Sequence, residues 1–298
     1  MLLRGLDGAN PLGFLAAIGT ARLLSSQESQ LRLRWVRDGA WRPELSGLPT
    51  RDADELCARL LECKPAPVDA IRQLGKNITV SAVQFGEFVR AAASAAEEDR
   101  CAADFAASFG SEVCWDEKKG RIYYTDLCFI TGSGHQDFIL TMAELQSRVG
   151  VQHLQEALFG PWRYSDSSLS MRWDPADASE YALQWNDPSS EGVTTVWGAN
   201  RLAIEALPLF PAQPVGDRIR TTGFRRNGRV DEFTWPVWTH PISVDSIRSL
   251  LASSELQAVQ PDREKLRLRG VEDIFRVQRV RIGAGANFKV SFRPSRAV

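Results

Sequence analysis

Residues 218–238, RIRTTGFRRNGRVDEFTWPVW, decide the fold class. Two arms, Arg218–Arg226 and Arg229–Trp238, flank Asn227-Gly228, a dipeptide whose ease at positive φ favours a tight hairpin turn. The arms carry β-branched and aromatic residues, so the stretch reads as an antiparallel ribbon. A second ribbon is predicted nearby: RVQRVRI (Arg276–Ile282), the loop GAGAN, and FKVSF (Phe288–Phe292). Between them Ser243 caps a helix, VDSIRSLLASS.

Outward from this ribbon the pattern is helical. Asn10-Pro11 followed by LGFLAAIGTARLLSS supplies an N-cap, a first-turn proline and an apolar helix. Gly13 and Gly19 leave room there for close packing. LRLRW (Leu31–Trp35) alternates as a half-buried strand does, and a Pro-containing connection follows it. Helices are expected at Asp52–Glu62, Val68–Leu74, Ser81–Ala96 and Arg100–Phe109, then a strand over Arg121–Ile130. The TGSG loop opens a helix, HQDFILTMAELQSRV, with another over Val151–Phe159. Trp162–Trp197 reads as short strands joined by turns at Asp174-Pro175 and Asp187-Pro188. A helix over Asn200–Leu207 ends at Pro208. The expectation is an α+β fold without a βαβ repeat. It has a mainly helical part, 1–160, and a β-rich, Arg-rich part, 161–298, which can pack as one unit.

The chain has 298 residues and 44% hydrophobic content, enough for a sizeable core. No apolar run reaches the roughly 18 residues of a membrane span, and Leu12–Leu24 is interrupted by Arg22. The start lacks the pattern of a secretory signal. A cytoplasmic protein with no membrane contact is expected. Five scattered cysteines without a CxxC pair, and three histidines without ligand spacing, point to reduced thiols and to neither metal nor cofactor.

Net charge is −1, but its distribution is uneven. Val215–Val298 holds 14 arginines, two lysines and nine acidic residues, leaving 20 basic against 28 acidic residues elsewhere. Arginine's planar fork suits phosphate and carboxylate. Such a surface also arises as ordinary solvated strand faces.

No phosphate loop, nucleophile elbow, HExxH or dinucleotide fingerprint occurs, so no enzyme is expected. The nearest approach to a site is Thr131-Gly-Ser-Gly-His135-Gln136. Backbone N–H groups at this helix start can hold an anion, helped by Ser133, Gly134, His135 and Gln136. The same loop also reads as a plain capped helix end. The hairpin tip gathers Phe224, Arg225, Arg226, Asn227 and Arg229, a projecting ribbon able to enter a nucleic-acid groove with Phe224 stacking. Arg279 and Arg281 share one strand face, with Arg276 opposite. With Lys289 and Arg293 nearby they make a basic strip. Trp235, Trp238, Phe210 and Phe233 read as core.

Several segments together carry a resemblance. They are GLDGANPLGFLAAIGTARLL (5–24), GSGHQDFILTMAEL (132–145), RWDPAD with YALQWNDPS (172–189) and GANRLAIEALPLFP (198–211). TTGFRRNG (221–228), FTWPVWTHPIS (233–243) and FRVQRVRIG with NF (275–288) extend it. They are similar to small CRISPR-associated proteins of the type I-U/I-G group, and the opening resembles that of the group's large-subunit proteins. The resemblance implies a non-catalytic subunit of an RNA-guided surveillance complex, with other effector subunits, guide RNA and target DNA as partners. At 298 residues the chain is short for a large subunit, so a minimal version or an accessory of the helicase-nuclease is implied. Two other readings stand beside it: a protein-binding adaptor, and an enzyme centred on Ser133, His135 and Gln136.

Overall fold

The computed structural model describes residues 1–131, 136–176, 194–228, 230–284 and 287–298. Asn10 caps α1 (Pro11–Ser25) by accepting from the Leu12 and Gly13 amides, and 13 of the 15 helical residues are buried. A helix apolar all round belongs inside, and α1 is the axis on which both halves pack.

β1 (Arg32–Asp38) and β2 (Ala40–Ser46) form an antiparallel hairpin turning at Gly39, whose φ is +72°. Pro43, in the stretch expected to be a connection, stands in β2 opposite Trp35. α2 (Ala53–Glu62), α3 (Val68–Ile71), α4 (Ala82–Ser94) and α5 (Cys101–Phe109) follow, then β3 (Gly110–Asp116) and β4 (Arg121–Tyr124). α6 (Phe138–Arg148) and α7 (Val151–Phe159) precede the two-residue strands β5 (Asp166–Ser167) and β6 (Thr194–Thr195), which pair with each other. α8 (Trp197–Ile204) then crosses α1. Gly19 permits the crossing, because a Cβ there would stand 2.0 Å from the Leu202 carbonyl oxygen.

The last third opens with a hairpin, β7 (Ala212–Val215) and β8 (Arg218–Thr221), and continues with β9 (Phe224–Asn227) and β10 (Val230–Trp238). α9 (Val244–Leu251) and α10 (Arg263–Leu268) lead to β11 (Val271–Ala284), β12 (Asn287–Phe292) and β13 (Arg296–Ala297). The main sheet is antiparallel in the order β12-β11-β10-β9, with β13 also on β11. Antiparallel hairpins beside helices make the fold α+β.

β10 is buried from Glu232 to Trp238, so this central strand is covered on both faces. One face stacks Phe224, Phe233, Trp235, Phe275 and Phe292, and Trp235 meets Phe14 of α1 at 5.8 Å. Trp235 Nε1 donates to the Gly8 carbonyl at 2.7 Å and Trp238 Nε1 to that of Leu33 at 2.8 Å, so each polar handle is satisfied. The opposite face is polar. Arg276 Nε donates to Thr234 Oγ1, and its Nη atoms donate to the carbonyls of Val259 and Ala258, strapping that segment onto the sheet.

Four expectations are corrected. The strand predicted over Arg121–Ile130 ends at Tyr124, because Thr125 turns away to join Thr221, their hydroxyls 3.2 Å apart. The single arm predicted over Arg218–Arg226 is two strands, parted where Gly223 takes φ +83°. The hairpin pairs Asn227 with Val230, so its turn lies one residue later than an Asn227-Gly228 turn. α6 begins at Phe138 rather than at His135. Asp187-Pro188 lies outside the described residues, and around Asp174-Pro175 only the two-residue β5 is described. No helix of the described residues is long and apolar enough to cross a membrane.

A candidate nucleic-acid interface

Alternation along β9 gives two neighbouring arginines opposite surroundings. Arg225 turns onto the polar face, where Nε and Nη2 both donate to Glu232 Oε2, the former at 2.9 Å. Glu232 is fully buried, and Arg296 Nη2 lies 3.5 Å from its other oxygen. Burial pushes the Glu232 carboxyl up, but the Arg225 hydrogen bond and charge outweigh it and hold it below its ordinary value. Arg226 is exposed, with Nε directed to the Gly228 carbonyl at 3.3 Å.

This overturns the geometry expected of the tip. Phe224, expected to stack on a base, is 3% exposed and packs on Phe233 at 5.0 Å. Arg225 is committed to Glu232, leaving Arg226 and Asn227 as exposed tip residues among those described. Arg229 lies outside the described residues, as do Ser133, Gly134 and His135. Gln136 is described, and its Oε1 accepts from Arg172 Nη2 at 3.0 Å.

The basic strip divides as well. Arg281 pairs with Val290 and Lys289 with Ile282, so Lys289 faces the other way from Arg279 and Arg281. Arg279 is folded inward. Nη2 donates to the Cys128 carbonyl at 3.3 Å, Nη1 lies 3.7 Å from Asp126, and the guanidinium sits 5.1 Å from the Phe129 ring centre. Arg276 takes the opposite face, as the spacing predicts.

What the fold assembles instead is a groove between the main sheet and the strands β4 and β8. The Thr125–Thr221 contact, with the Asp126 amide donating to Thr221 Oγ1 at 2.8 Å, pins the end of β4 to the end of β8. This sets Tyr123 and Tyr124 beside the arginines of β8 and β9. One pocket of about 290 Å³ is lined by Tyr123, Tyr124, Arg218, Arg220, Arg225 and Arg226 with Asp126, Asp217 and Asp231. A second, of about 510 Å³, adds Arg279, Arg281 and Arg293. Tyr124 and Asp231 line both, so the two depressions adjoin. Arg218 stands over the Tyr123 ring at 5.8 Å and Arg121 over Tyr124 at 5.9 Å.

Seven arginines line the groove against three aspartates, and with Arg225 neutralised by Glu232 the groove is still positive. Asp126 is the most recessed of the acids: burial raises its carboxyl above the ordinary value, Arg279 opposes that and Asp231 adds to it. The chemistry on offer is anion binding by forked donors beside aromatic faces. Tyr123-Tyr124 reads in the sequence only as part of a strand, and no local signal places it beside β8. No group of three or more His, Cys, Asp or Glu able to hold a metal occurs among the described residues. Burial pushes the Cys57 and Cys128 thiols up to about 12, leaving them protonated and poorly nucleophilic at neutral pH.

In comparison with known proteins, no family model and no curated protein matches the chain.

Proposed function

We propose that the chain is a non-catalytic subunit of a type I CRISPR RNA-guided surveillance complex, contacting target DNA or guide RNA through the arginine and tyrosine groove. The supporting observation is the groove itself, seven arginines and two tyrosines brought together from β4, β8, β9, β11 and the segment after β12. Forked donors along a concave path fit phosphate oxygens, and the motif resemblance supplies the complex. The intracellular setting of such a complex, in the cytoplasm, is part of the proposal. A mobility-shift titration at low salt, with the purified chain and then with co-expressed effector subunits, tests it. Shifted nucleic acid supports the reading, and no shift in either setting overturns it.

A second reading, a protein-binding adaptor, is favoured by a separate observation. Val113 and Trp115 alternate on β3 with 70% and 47% exposure, and Val215 on the contacting strand β7 is 46% exposed. An adaptor binds partner subunits without shifting nucleic acid, which the same titration separates.

A further inference from the structure

We infer that the groove takes an unpaired nucleic-acid strand rather than a duplex, an inference that rests on the nucleic-acid reading above. Reading a duplex with the β9–β10 ribbon requires a tip whose side chains project into a groove. Here Phe224 is core and Arg225 is locked on Glu232, so the ribbon has lost two of the residues that such a wedge needs.

The remaining arginines do not ride on a projecting element. Arg218, Arg220 and Arg226 rim one depression and Arg281 and Arg293 the next, with Tyr124 between them. A duplex is a stiff rod that presents its phosphates on a convex surface and keeps its bases stacked inside. An unpaired strand bends into a concavity and offers base faces to aromatic rings, while its phosphates meet cations along the walls. Tyr123 is half-buried beside a guanidinium, so a base laid against it completes an arginine, ring and base stack. A second base fits the larger depression beyond Tyr124, where Arg279 already lies over Phe129. Recognition of this kind is tolerant of sequence, because every base has a π-face.

The test uses the purified chain and fluorescence anisotropy with one labelled mixed-sequence oligonucleotide, as single-stranded DNA, as single-stranded RNA, and annealed as a DNA duplex. The expected result is tighter binding of at least one single strand than of the duplex, by about tenfold or more. Tyr123→Ala should weaken single-strand binding by about 5- to 100-fold and Tyr123→Phe should restore it, with unchanged thermal melting showing that both variants fold. Duplex affinity equal to that of both single strands, or full single-strand affinity in Tyr123→Ala, overturns the inference and leaves the nucleic-acid reading standing. Absence of binding to any form overturns the inference, and the nucleic-acid reading falls with it when the chain co-expressed with effector subunits also shifts no nucleic acid.

Discussion

Asp126 and Arg279 face each other at the floor of the groove, Oδ1 to Nη1 at 3.7 Å, with Asp231 on the same guanidinium nitrogen at 3.9 Å. The pair links a turn after β4 to the middle of β11. It also places a carboxyl where burial favours the neutral acid.

Because the Asp126 carboxyl is raised in the folded chain, it gains its proton at a higher pH than in the unfolded chain. Each protonation removes a negative charge from the groove. Affinity for an anionic strand should therefore increase as pH falls from neutral through that raised range. Asp126→Asn should bind more tightly at neutral pH and lose this part of the dependence. Its fold should also be more stable there, since the ionised form is the one burial penalises. Anisotropy titrations across pH check this, and parallel curves for variant and parent would refute it.

Exposed groove arginines should act on binding alone. Arg226→Ala and Arg218→Ala should each lower the slope of log affinity against log salt by about 0.7 for a single strand or about 0.9 for a duplex. Their stability should stay within about 0.5 kcal/mol of the parent. A salt series on each variant measures the slope, and an unchanged slope removes that residue from the interface.

Arg225→Ala should behave in the opposite way. Removing it strips the buried Glu232 carboxylate of its hydrogen-bonded partner and leaves it the charges of Arg276 and the largely exposed Arg296, which costs about 3–5 kcal/mol. The sign with pH follows from the lowered Glu232 value. The stability contributed by the pair is present above the ordinary glutamate range and is lost as pH falls through the folded value. Urea denaturation of parent and variant at neutral and acid pH should show a difference that shrinks on acidification.

Gly19→Ala tests the α1–α8 crossing. An added methyl meets the Leu202 backbone, which cannot move aside as a side chain end can. A loss of about 2 kcal/mol or more is expected by thermal melting, and a neutral result would mean that the helices separate easily.

Much of the secondary structure is readable from local signals. Asn10-Pro11, Ser81 and Ser243 mark helix starts where caps form, and the 276–292 ribbon shows its alternation, though its first strand reaches back to Val271. The missed elements failed for local reasons. Pro43 disguised β2, and Gly223 split an arm that reads as continuous. The groove was less legible than the fold. Its arginines stand out in the sequence, but which of them face solvent depends on pairing: Arg225 and Arg226 differ only by one step of strand alternation. Tyr123 and Tyr124 join them through the Thr125–Thr221 contact, across 96 residues of chain. No periodicity within a short window carries such information.

The buried Glu232 has a consequence for how the hairpin finds its alignment. Sliding β9 by one position against β10 would bring Arg226 opposite Glu232, carry Arg225 opposite the buried Phe233, and expel Phe224 from its aromatic stack. Both side chains at the misaligned position are arginine, so composition alone does not reject the slip. The phenyl ring does, because Arg226 answers the enclosed acid after the slip while Arg225 is forced into the enclosed place of Phe224. Glu232 and Phe224 are thus two teeth of a key cut for a single alignment of two strands, and the outward aim of Arg226 is fixed by residues hidden from solvent.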